Sequence, residues 1–196
     1  MDMLIAFLRF VHVLGAVFMA WPLYALITVN ERGRLGPPLG DRADAYMENI
    51  IRGQAVRCYG FQLALLVSGI LLVWLPGAGL GALVTNWVLG VKLLLLLILM
   101  GLLSYIHFSL QPRLDKLFAQ APGQAGIRPD AAAAIPRLRA RRKKIAATCL
   151  FLVLTLILLG LQVHARFATP LTGALLLASA LFAWHAYRTR IPYGWV

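Results

Sequence analysis

Acidic side chains are scarce in this chain: seven Asp and Glu stand against 19 Lys and Arg, and charged residues of both signs make up only 13% of its 196 positions. That is roughly half the share usual in soluble globular domains, too little to solvate the surface of a water-soluble fold of this size. Cysteine is limited to Cys58 and Cys149, without CxxC spacing and without the CxxCH signature of covalently attached haem. A disulfide framework is therefore excluded as an organising feature. The chain also lacks a Gly-rich phosphate loop, a nucleophile elbow and an HExxH sequence, which argues against soluble-type hydrolase chemistry.

What fills the chain is apolar: 61% of residues are hydrophobic, in long runs. At about 20 residues per crossing, five runs are long enough to span a bilayer, over about 3–29, 55–75, 87–109, 145–163 and 170–187. The fold class expected is all-α, a single polytopic membrane helix bundle. The first run is expected to be retained rather than cleaved as a signal peptide, because Asp2 precedes it and Asn30-Glu31-Arg32 follows it. Pro22 is expected to kink it. In the polar stretch 30–54, Gly36-Pro37-Pro38 forbids regular helix, and Asp41 suits the N-cap of a short amphipathic segment at the membrane surface, with Glu48 and Arg52 paired at i,i+4. Pro76-Gly77 ends the second run, Asn86-Trp87 opens the third, and Thr169-Pro170 opens the fifth. The third and fourth runs hold no acidic residue of the kind a proton-driven carrier uses.

The formal net charge of +12 is distributed unevenly. Sixteen basic residues fall in the stretches 30–57 and 110–144 and in the tail, against Arg9, Lys92 and Arg166 elsewhere. By the positive-inside rule both loops, 30–54 and 110–144, are expected to be cytoplasmic, which puts the N-terminus outside and the C-terminus inside. Nucleic acid is not an expected partner, since the basic residues flank apolar runs instead of covering a polar surface. The run Arg141-Arg142-Lys143-Lys144 is expected to set topology and touch anionic lipid. Cys58 and Cys149, near the cytoplasmic ends of their spans, are accounted for by ordinary packing.

Ionisable residues inside spans are costly and point to function. On this topology Arg9, His12, Lys92 and His164 share an outer level, whereas His107 and His185 form a possible second level at the cytoplasmic side. Two imidazoles at one depth on different helices suit haem b, with cations nearer the water for its propionates. His12 and His164 are thus candidate iron ligands, and Arg9 and Lys92 candidate propionate partners. Gly15, Ala16 and Gly160 would leave room for the macrocycle. For His107, His164 and His185 an interfacial hydrogen-bonding role competes with this reading, and for Lys92 a simple reach to the headgroups does. Copper binding or transport is an alternative, with Met1, Met3 and His12 as soft and imidazole ligands. So is an accessory role in a larger membrane complex or homo-oligomer.

The stretch Leu8-Arg9-Phe10-Val11-His12-Val13-Leu14-Gly15-Ala16, with Trp21 nine residues after the histidine, resembles the bacterial integral membrane protein group related to the copper-resistance D proteins and the HemJ-type protoporphyrinogen oxidases. The likeness continues through Arg52–Leu72 and Trp87–Leu114, covering about the first three spans. It implies a bacterial inner-membrane location, haem b binding at His12 and an active role for Lys92, with a quinone or porphyrin as redox partner. The wider spacings from Trp87 to Lys92 and from Lys92 to His107, and the fifth span, depart from that pattern.

Overall fold

The computed structural model describes residues 2–30, 41–119, 129–163 and 167–188. Seven α-helices follow in order: α1 Asp2–Val29, α2 Arg42–Trp74, α3 Ala82–Thr85, α4 Trp87–Tyr105, α5 Gln111–Ala119, α6 Pro129–Gln162 and α7 Thr169–Arg188, with a π-helical turn at Ile106–Leu110 joining α4 to α5. Five helical runs are long and apolar enough to cross a membrane: α1, α2, the continuous α4–π–α5, α6 and α7. The chain is a multi-pass membrane protein. Its exposed side chains include Phe7, Phe10, Trp21, Leu63 and Trp74, as expected where lipid is the solvent.

α1 packs along α2 and α6, and α4 closes the ring by packing on α6 and α2; α7 lies outside, against α6 and one edge of α1. The core of this four-helix bundle holds Met19, Leu23 and Ile27 of α1, Leu65 of α2, Leu99 and Leu103 of α4 and Leu150 and Val153 of α6. Along α2 the buried positions run Asp44, Glu48, Ile51, Ala55, Cys58, Gln62, Leu65 and Ser68. Steps of three and four make this one inward seam. Its polar members are Asp44 and Glu48 at one end, Gln62 midway and Ser68 toward the other end.

Helix ends follow local chemistry. Asp41 caps α2 by accepting from the Asp44 N–H at 2.8 Å. Asn86 caps α4 by accepting from Val88 and Leu89 N–H. Beyond α2, Gly77 and Gly79 take φ of +85° and +70°, which reverses the chain at little steric cost. Replacing Asp41 with Ala is expected to cost about 1 kcal/mol, read as a lower unfolding midpoint in detergent, because the α2 N-terminus loses its acceptor.

Three expectations are corrected. No separate surface segment precedes the second span: residues 42–54 are the first third of α2, which at 33 residues is about 50 Å long against an apolar thickness of about 30 Å. Arg52 does not pair with Glu48 but donates to Asn49 and Asp115. The stretch 110–144 is helical at both ends, in α5 and in the first half of α6, which runs through Pro136 without a break. These polar helix ends project together past the apolar bundle.

There they enclose a buried ion network. Arg142, 0% exposed, donates through Nε to Asn30, through Nη1 to Glu48 and Gln111, and through Nη2 to Glu48, at 2.6–3.0 Å. Arg139 donates to Glu48 and Asp44. Two guanidiniums thus face two carboxylates, and the network is neutral. The expected lipid contact of Arg141–Lys144 is corrected accordingly: Arg142 and Lys143 are buried, whereas Arg141 and Lys144 are exposed. At about 100° per residue, four consecutive side chains cannot all face outward, and the inner face offers Glu48.

Candidate functional site

At the opposite end of the bundle, α1 and α2 approach closely where Gly15 lies against Leu65; a Cβ there would stand 3.5 Å from Leu65 Cγ. The space expected beside Gly15 for a macrocycle is therefore filled by α2. One turn nearer the start of α1, His12 faces Ser68 and Gly69. His12 Nδ1 lies 2.9 Å from Ser68 Oγ, and Ser68 Oγ in turn donates to the Ala64 carbonyl at 2.5 Å. With the hydroxyl proton committed to Ala64, Ser68 can only accept from the ring. This hydrogen-bond pattern assigns the proton to Nδ1 and leaves the Nε2 lone pair as the reactive atom. A Cβ at position 69 would meet His12 Cε1 at 3.2 Å, so glycine there is what lets the ring sit against α2.

Lys92 reaches the same level from α4. It is partly buried, and its Nζ lies over Gly160 of α6, 3.5 Å from where a Cβ would stand. It is within electrostatic range of His12. Gly160 thus accommodates the Lys92 ammonium. Four helices contribute to this level: α1 with His12, α2 with Ser68 and Gly69, α4 with Lys92 and α6 with Gly160. Neither Ser68 nor Gly69 stood out in the sequence. Their only signal was a small polar pair, Ser68-Gly69, inside an otherwise aliphatic run.

Arg9 is exposed on α1, a turn toward the terminus. His164 and Met1 lie outside the described residues, and Met3 is 86% exposed, away from any ligand cluster. Among the described residues no group of three or more His, Cys, Asp or Glu could hold a metal ion.

The second expected level is not one site. His107 sits in the π-helical turn, its ring edge-on to Tyr59 and Phe108 at centroid distances of 6.1 and 4.8 Å. Its Nδ1 is buried without a hydrogen-bond partner. Ser104 bonds the Tyr59 hydroxyl at 2.8 Å rather than the imidazole. His185 is exposed near the end of α7, a helix that packs on α6 and α1. In comparison with known proteins, no family, no curated relative and no solved structure matches the chain.

Proposed function

We propose that the chain is a haem b-binding redox protein of the bacterial inner membrane, N-terminus outside, in which His12 would hold the haem iron and Lys92 would pair with a propionate. The observation that carries the reading is the contact of His12 Nδ1 with Ser68 Oγ, which itself donates to the Ala64 carbonyl; that arrangement favours the Nδ1–H tautomer and leaves Nε2 as a Lewis base. Metal-bound histidines are typically held in this way by a second hydrogen bond on the far nitrogen. The donor set fits haem b in chemistry: one neutral imidazole, one interior ammonium and, toward the rim, Arg9. His12 would hold the iron, Ser68 would fix the ring, and Lys92 would neutralise a carboxylate. Bound there, haem b would supply one-electron chemistry, with a quinol or a porphyrinogen as the class of reductant, oxidised to the quinone or the porphyrin. His12 and Lys92 are also the two residues that the resemblance implies.

The test is an optical spectrum of the purified protein from haem-replete cells, oxidised in air and then reduced with dithionite. A reduced-minus-oxidised haem b signature is the expected result, and a colourless preparation overturns the proposal. Ser68→Ala is expected to weaken haem retention by on the order of 10–100-fold while leaving helix content unchanged, measured by haem transfer to apomyoglobin.

A further inference from the structure

Midway along the bundle, between the His12 level and the ion network, the four helices leave a cavity of about 20 Å³, room for one water molecule or one metal ion. Its wall is aliphatic except for three sulfur side chains and one amide: Met19 from α1, Cys58 and Gln62 from α2, and Cys149 from α6. All four are at most 2% exposed. The thiols are free, come from different helices and lie within electrostatic range of each other. Gln62 directs its Nε2–H at Cys58 Sγ, 3.9 Å away, and its Oε1 has no partner.

We infer that this cavity binds a single soft monovalent metal ion, with Cys58, Cys149 and Met19 as ligands. Gln62 is part of this wall and its buried amide oxygen has no donor, which favours a hydrogen-bond donor or a cation as the occupant. The sulfur wall selects among cations: thiolate and thioether favour Cu(I) and its congener Ag(I) over hard ions. Charge balance agrees. One thiol exchanges its proton for the ion, Cys–SH + M⁺ → Cys–S–M + H⁺, so the site is neutral before and after, as an apolar interior requires. The second thiol and the Met19 thioether complete the ligation as neutral donors, and the Gln62 N–H supports the thiolate on Cys58. None of these residues belongs to the His12 level, so the inference stands apart from the haem proposal. The ligands also differ from Met1, Met3 and His12, the copper set expected from sequence.

The experiment is anaerobic titration of the reduced, full-length protein with Cu(I) against bicinchoninate, repeated with Ag(I). One ion per chain is expected, bound on the order of 100-fold more weakly by Cys58→Ser and by Cys149→Ser and unaltered in Met3→Leu. X-ray absorption at the copper edge on the unmodified protein is expected to show a first shell of sulfur, a readout that does not depend on the variants folding. Uptake that survives both cysteine substitutions, loss of uptake in Met3→Leu, a first shell of nitrogen and oxygen, or no uptake at all each overturns the inference. The last outcome would leave the cysteines as small core residues around a water-sized void.

Discussion

Replacing Arg142 with alanine is expected to destabilise the protein by about 3–5 kcal/mol, measured as the shift in midpoint of an SDS-unfolding titration in mixed micelles. The guanidinium is fully buried and ties α6 to α1 through Asn30, to α2 through Glu48 and to α5 through Gln111. Its removal leaves Arg139 as the one guanidinium on Glu48 and strips the Asn30 and Gln111 amide oxygens of their donor. The second carboxylate oxygen then keeps only the neutral Gln111 amide as a partner in a buried site. Arg142→Lys keeps the charge but not the planar fork, so it is expected to fall between the two, since one ammonium cannot bridge three helices. Arg141→Ala, one residue away and exposed over the Tyr105 ring, is expected to change stability by no more than about 0.5 kcal/mol. Equal effects at 141 and 142 would mean that the network does not form. Replacing Glu48 and Arg142 together with Met is expected to recover part of the loss, because a neutral pair leaves no charge without its counter-ion.

His12→Ala is the substitution expected to abolish haem binding, read as loss of the reduced-minus-oxidised signal from purified protein with an unchanged elution volume. Among the described residues at this level, the imidazole is the one group that can offer a ring-nitrogen lone pair to iron. Lys92→Ala is expected to lower haem retention less, because an ammonium that pairs with a propionate adds charge neutralisation but no bond to iron. Lys92→Arg, which keeps the charge, should restore most of it. If Lys92→Ala proves as severe as His12→Ala, Lys92 is not acting through charge alone, and the assignment of roles at this level is wrong. Arg9→Ala is expected to have the smallest effect of the three, since Arg9 is solvated at the rim.

The parts of this architecture that were legible in the sequence are those set by local physics. Runs of Leu, Val and Ile announce helices that cross lipid; Asp41 and Asn86 announce caps; Pro76 to Gly79 announces a reversal. Depth along a helix is also local, because it follows from counting at 1.5 Å per residue, and so His12 and Lys92 could be set at one level before the packing of their helices was known. What escaped notice depends on pairing between distant segments. Arg139 and Arg142 read as loop cations because their partners, Asp44 and Glu48, lie more than 90 positions earlier. The trace they leave is spacing alone: three residues apart on one helix, four on the other, each pair on one face. The same holds for His12 and Ser68, separated by 56 positions. Gly15 and Gly160 were expected to leave room for a macrocycle, but what stands beside them is Leu65 and Lys92.

The ion network has a consequence for biosynthesis. Asp44 and Glu48 leave the ribosome 94 residues or so before the arginines that neutralise them, an interval on the order of 5–20 s at ordinary elongation rates. During that interval α1 and α2 can already lie side by side in the bilayer, yet the polar third of α2 must stay hydrated, held out of any apolar contact by its own charge. The end of the bundle where Asn30, Glu48 and Gln111 converge therefore cannot close until α6 is threaded, and Arg142 is the residue that closes it.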